Sequence, residues 1–463
     1  MDGYMKTKIL GVGWLAVGAC APAVDSGSPL PSPRAESPTD TAVHCDLQPD
    51  NQLRVDCTLQ TDEAVRVQLR GIARDGTTAQ TTSEGVGEHR LTLHGLLPGE
   101  PYRLQIAQPP GAWQDVGTVE TGMPFPDLVF DVTEYSAHAQ VEAVMVDTDC
   151  GGVAAPVVVD RQGRVRWYED VTDVGSVDTF SLTDRGTVVM LVGRQHLLEV
   201  TPQGEMLRSW GPEELGAYVH HDVVVRGDET AVLTGQVWTD PDTGDVYMHE
   251  GVRVYAPDAT VLADWKVVDS YEITDKHWEV DNFWASQMPG AKGFHLNSLD
   301  VNEAGDWLIS MISASMIARV VGDPQASNFG EIVWTLDGLG LGGDFRLQEG
   351  TDFHGQHHVH RSPANGLVLF DNGYANRGSR GLELSLDHTN GEVELVSEVP
   401  LDAYCSHGGS LYALDDGHRL ITCGTDQTVL EVGPKGEALW EMSLECDGST
   451  RFLYRATPVR GTW

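Results

Sequence analysis

The sequence predicts an all-β protein in two folded parts, a small β-sandwich over residues 43–125 and a six-bladed β-propeller over residues 126–463. Three observations carry this expectation. Short apolar and polar runs alternate along the chain, and the 3.6-residue periodicity of amphipathic helices is missing. After residue 150 a turn followed by an apolar strand recurs six times: "QGRVRWY", "QGEMLRSW", "DATVLADW", "FGEIVWTL", "NGEVELVS" and "KGEALWEM". These phrases place Trp167, Trp210, Trp265, Trp334, Leu395 and Trp440 at equivalent positions, 43 to 69 residues apart. That period accommodates four short strands per repeat, a propeller blade and not a solenoid turn.

The first 20 residues read as a secretory leader. From Met5, "MKTKILGVGWLAVGACAP" has two lysines, a short apolar run and small residues before Cys20, too short to span a bilayer as a mature helix. It looks like a bacterial lipoprotein signal, with Cys20 the residue that takes the lipid. This predicts a lipid-anchored protein of the cell envelope, on the outer membrane at its periplasmic or surface face. Residues 21–42 are rich in Pro, Ser and Thr, which cannot bury enough apolar surface to fold, so they read as a tether.

Six further cysteines, an even number in an exported chain with no C-x-x-C pair, point to disulfides and not to a metal site. The local pairs are Cys45 with Cys57 and Cys405 with Cys423, which leaves Cys150 with Cys446 to join distant parts of the chain. Sixty-nine acidic against thirty basic residues give a net charge of −39, which disfavours nucleic acid and anionic lipid surfaces as partners.

In the sandwich, the runs "LRVDCTL", "AVRVQLRG", "HRLTLHGL" and "YRLQIAQ" are separated by turn residues. The phrase "LLPGEPYRLQI" resembles the fibronectin type III pattern, in the wider immunoglobulin-like class, with Tyr102 in a tyrosine-corner role. In the propeller, the tail "RFLYRATPV" (451–459) is expected to supply a strand to the first blade and close the ring, removing exposed strand edges.

Histidines mark the inner strands. His220 lies twelve residues before Val232, His295 thirteen before Leu308, His357 twelve before Leu369 and His407 thirteen before Leu420. Equivalent positions at the starts of inner strands surround one axis, so these imidazoles should meet at the channel mouth. A ring of histidines with Asp222 nearby suits either metal ligation or nucleophilic and acid–base work. The amides and guanidiniums close by in sequence, Gln356, Asn297, Asn372, Arg377 and Arg380, favour an anion with several oxygens over a bare cation, so no metal is assigned.

"HHDV" (220–223), "FHLNSLDV" (294–301), "GQHHV" (355–359), "LVLFDNGYANRGSR" (367–380) and "LYRA" (453–456) resemble the landmarks of the bacterial arylsulfate sulfotransferases that work without adenosine phosphosulfate. The resemblance spans roughly 43–463 and implies a propeller behind a sandwich, exported to the periplasm. It implies that sulfuryl passes from an aryl sulfate to a phenol through a sulfohistidine, with no cofactor. It makes His357 the nucleophile and His220, His221 and His295 donors or acid–base partners, with Asn297 on a sulfate oxygen. His358, Gln356, His407, Arg377 and Arg380 are then expected around the substrate.

Two features depart from that pattern. The family's arginine after the "HxNS" strand is Ile312 here, so charge stabilisation at the transition state falls unless Arg319, Arg377 or Arg380 reaches in. His358 stands where the family usually has an acidic residue. The alternative is a non-catalytic propeller lipoprotein that binds a ligand or a metal at its mouth. "DGLGLGGDF" has G-x-G-x-x-G spacing without a following helix, so it reads as a loop. "TDPDTGDVYMHE" has the composition of a structural calcium loop but not its spacing, so a hairpin turn is expected.

Overall fold

The computed structural model describes residues 42–125, 127–271, 293–362, 366–373, 378–446 and 453–461. Cys20 and the tether as far as Thr41 lie outside the described residues, as does Arg377. Six sheets of four or five strands form the propeller, and the inner strands of successive sheets pack against one another around a closed ring.

The chain closes that ring twice. Ala456–Val459 is the innermost strand of blade 1, paired antiparallel with Ala143–Cys150 and followed outward by Val153–Asp160 and Val165–Tyr168. Leu128–Glu134, which precedes blade 1 in sequence, adds a fifth strand outside Ala438–Cys446 of blade 6. The Cys150–Cys446 disulfide joins the same two blades, and Cys45–Cys57 and Cys405–Cys423 complete the expected pairs. With both edges paired, the ring offers no free strand edge at its seam.

Each recurring phrase is the fourth strand of its blade, counted outward from the axis: Val165–Tyr168, Met206–Trp210, Val261–Lys266, Ile332–Asp337, Glu392–Pro400 and Ala438–Cys446. The tryptophans face inward between blades. Trp167 Nε1 donates to the Pro202 carbonyl in the outer turn of blade 2, and Trp440 Nε1 to the Arg161 carbonyl in that of blade 1. Trp265 Nε1 reaches Ser270 Oγ, which donates on to the Gly330 carbonyl of blade 4. A large apolar side chain with one donor therefore ties each of these blades to the next, which explains why Trp recurs.

The sandwich is one continuous sheet wrapped around its own core. Asn51–Ile72 is 22 residues long, pairing first with His44–Gln48 and then with Pro101–Ala107, and with Thr78–Leu93 along its other edge. Gln114–Glu120 completes the sheet. Val55, Leu69, Leu91, Leu104 and Tyr102 fill the interior. The Leu97 N–H donates to Tyr102 Oη at 2.8 Å, the expected tyrosine corner. Arg54 binds Glu169 at 2.8 Å and Asn51 donates to the Tyr168 carbonyl, so the sheet docks on the outer strand of blade 1.

Candidate functional site

The inner strands of blades 3, 4 and 5 are Tyr218–Arg226, Leu296–Val301 and His357–Arg361, and each loses pairing register near its start. There His221, His295 and His358 adopt left-handed backbone, with φ of 58°, 52° and 49°. Non-glycine residues in that region cost on the order of 1–3 kcal/mol each, and such strain persists only where surrounding structure imposes it. At His221 and His295 the bulges re-aim the side chains from the sheet toward one another.

Three imidazoles form a chain. His220 Nδ1 lies 2.8 Å from His221 Nδ1, and His221 Nε2 lies 3.1 Å from His295 Nε2. Behind them the buried Glu250 accepts the His295 and Leu296 N–H groups at 2.6 and 2.9 Å, and sits 3.7 Å from His220 Nε2. Tyr454 stands between this chain and His357, its ring centroid 6.0 Å from His221 and 6.1 Å from His357. His357 Nδ1 is 2.7 Å from Asn372 Oδ1 and 3.1 Å from the Gly355 carbonyl.

Burial keeps His220, His221 and His357 neutral. Loss of hydration lowers the pKa of His357 to about 4 and that of His220 to about 3, in both cases aided by His295. His221 and His358 are also held well below the ordinary imidazole range, mainly by burial. The cation of the site is Arg455, whose Nη1 and Nη2 bind Asp222 at 3.0 and 3.3 Å with both residues buried. Asp222 also accepts the Leu299 N–H at 2.9 Å, so the ion pair ties the terminal segment to blades 3 and 4.

The structure brings together His220, His221, His295 and His357, and moves several other predicted site residues elsewhere. Asn297 lies close by, but its Nδ2 donates to the Gln356 carbonyl, while Gln356 Nε2 binds Ser310 and the Met316 carbonyl. His358 packs between His360 and Tyr412, 4.5 Å from each. His407 is exposed beside Ser406, because in blade 6 Gly408 and Gly409 take the positive-φ positions that histidine takes elsewhere. Arg380 is committed to Asp371 and Glu398, and Arg319 to Asp306, so neither replaces the arginine missing at 312. Asp240–Asp245 closes a hairpin, the Asp240 carboxylate accepting the Asp242 and Thr243 N–H groups.

Sequence reasoning missed Arg455, Tyr454 and Glu250 as site residues. "LYRA" was the available signal, but its proximity to Asp222 depends on ring closure. Among the described residues no group of three or more His, Cys, Asp or Glu is arranged to hold a metal ion.

Residues 194–445, more than half of the chain, match the family model described as arylsulfotransferase (ASST). No curated protein matches the chain. Among solved structures it is similar to streptogramin B lyase, at 10% identity over 69% of this chain and 89% of that one with a TM-score of 0.39. It is also similar to virginiamycin B lyase from Staphylococcus aureus (9% identity, 70% and 89% covered, TM-score 0.35). BamB from Moraxella catarrhalis is a third such structure (13% identity, 71% and 95% covered, TM-score 0.34).

Proposed function

Because the chain belongs to the arylsulfotransferase family, we propose that it moves a sulfuryl group from an aryl sulfate to a phenol through His357, with no adenosine phosphosulfate. The observation that carries this reading is a neutral, buried His357 facing an imidazole chain and a buried arginine at one channel mouth. The Nε2 lone pair of His357 attacks sulfur, the S–N bond forms as the S–O(aryl) bond breaks, and the phenolate leaves with that electron pair. In the second half-reaction a phenol releases its proton to solvent. Its oxygen attacks sulfur, and the S–N bond returns its pair to His357. The proton the acceptor releases matches the one the departed phenolate takes from solvent, so the cycle balances.

His220 and His221 are too weakly basic to be imidazolium at neutral pH, and their nitrogens face one another, His295 and Glu250, so in the first step the phenolate leaves unprotonated. Aryl donors whose phenols are acidic are therefore favoured. Arg455 takes the part of the arginine replaced by Ile312. It lowers the proton affinity of both His357 and His358, as a nearby cation must, and its Nε, which has no hydrogen-bond partner among the described residues, is the donor left for a sulfuryl oxygen.

Three disulfides support an oxidising compartment. With the leader ending at Cys20, the reading is completed by a lipid anchor in the cell envelope; Cys20→Ser should then move the protein from the membrane fraction to the soluble one.

Intact-mass spectrometry after brief incubation with p-nitrophenyl sulfate tests the covalent step. A gain of about 80 Da, one sulfuryl group, in the parent protein and none in His357→Ala is expected for nucleophilic catalysis. Absence of both adduct and nitrophenol, with a small molecule or metal retained in the native mass, would replace this reading with a binding propeller.

A further inference from the structure

We propose that Asn372 is a positioning residue that sets which nitrogen of His357 is free to attack; the proposal rests on His357 being the nucleophile. A neutral imidazole carries one proton, and only the other nitrogen has a lone pair to offer. The local hydrogen bonds determine which nitrogen that is.

The Gly355 carbonyl, 3.1 Å from His357 Nδ1, can only accept. Asn372 offers its side-chain oxygen at 2.7 Å, and its orientation follows from its other end. There Nδ2 is 2.7 Å from the Cys405 carbonyl and 2.9 Å from the Gly408 carbonyl. Two carbonyls require a donor, so the NH2 group faces them and the oxygen faces His357. Nδ1 is therefore flanked by two acceptors and holds the proton, and Nε2 holds the lone pair.

The amide is itself fixed at both ends. Asn372 follows the strand Leu367–Asp371, and its carbonyl accepts from Ser379 Oγ at 2.7 Å. That hydroxyl accepts the Cys405 N–H at 2.8 Å, so one serine locks the loop that carries the two carbonyls. Asn372, Ser379 and Cys405 are all buried, so water does not compete for these bonds.

The same contact acts later in the reaction. When Nε2 bonds to sulfur, positive charge spreads over the ring, and the Asn372 oxygen is an acceptor already aimed at the Nδ1–H that carries part of it. Asn372 never touches the sulfuryl group; it acts through His357.

The test uses the full chain with 15N-labelled histidine, the His357 signals being identified by their absence in His357→Ala. Wild type is expected to show protonated Nδ1 and unprotonated Nε2. Asn372→Ala should show a mixture, with kcat lower by about 10²-fold or more and KM within about threefold, as expected when a nucleophile or base is held in the wrong tautomer. Asn372→Asp keeps an acceptor on Nδ1. It should retain the wild-type tautomer and move the acidic limb of the kcat/KM profile to higher pH, because a carboxylate favours imidazolium. A wild-type His357 protonated on Nε2, or an Asn372→Ala variant that keeps protonated Nδ1 and full kcat, would overturn the proposal. Failure of the transfer reading would appear separately, as a wild type without an adduct, while the nitrogen signals still decide the role of Asn372.

Discussion

The outer and inner ends of the blades face opposite demands. At the outer strands, buried tryptophans sit on relaxed extended backbone, and Trp167 and Trp440 spend their one donor on a carbonyl of the next blade. At the inner strands of blades 3 to 5, His221, His295 and His358 sit on left-handed backbone, and polar groups are buried at a cost in solvation. Asn297 Oδ1, Gln356 Oε1, His358 Nδ1 and Arg455 Nε are buried there without a hydrogen-bond partner among the described residues. Buried polar atoms in that state are uncommon, and an orphaned one costs about 1–3 kcal/mol. The difference separates labour within one repeat: the rim and the seam hold the ring together, and that stability supports a strained, polar hub.

Replacing the proposed nucleophile should separate the two ends most sharply. His357→Ala is expected to lower kcat by about 10⁴-fold or more while the melting temperature stays near wild type, measured by nitrophenol release and circular dichroism. At the seam, Cys150→Ala with Cys446→Ala opens a loop of 296 residues and should cost about 5–6 kcal/mol in denaturant midpoint analysis. In the refolded fraction, kcat should be retained.

Arg455→Met should cost about 3–5 kcal/mol, because it leaves Asp222 charged and buried. Adding Asp222→Leu should recover much of that stability but none of the activity. A double variant with activity restored would remove the ion pair from the site.

Acid should attack the hub before the rim. The unfolded chain binds protons near the ordinary imidazole pKa of 6.5, whereas folded His357 does so only near about 4. Between these values the unfolded state holds more protons, so stability is full above about pH 6.5 and is lost as pH falls. Each such histidine contributes up to about 1.4 kcal/mol per pH unit. Urea midpoints from pH 7 to pH 4.5 should show that loss, and it should shrink in His357→Ala. The smallest effect is expected at the rim, where Trp440→Phe removes one indole donor and should cost about 1 kcal/mol with kcat unchanged.

Much of the ring was legible because its signals are local. The turn-and-strand phrase ending in Trp reports an outer strand, and the spacing back from each second strand located His220, His295 and His357. The same spacing failed at His407, where Gly408 and Gly409 adopt the positive φ and the imidazole stays outside. The even cysteine count led to the three pairs found, two by short separation and the third by exclusion. The arginine was sought at Arg319, Arg377 and Arg380, near the histidines in sequence. Arg319 and Arg380 instead serve carboxylates on their own blades.

By itself the sequence determined the all-β class, the blade period, the closing strand and the residue types at the mouth, because strand periodicity, turns and disulfide counts act over short distances or by simple arithmetic. Only the tertiary structure decided which groups touch. Arg455 meets Asp222 across 233 residues of chain, and Asn372 meets His357 through a loop held by Ser379. Such contacts depend on closing the ring and on excluding water from it. Their strength comes from burial that no single segment of the chain possesses on its own.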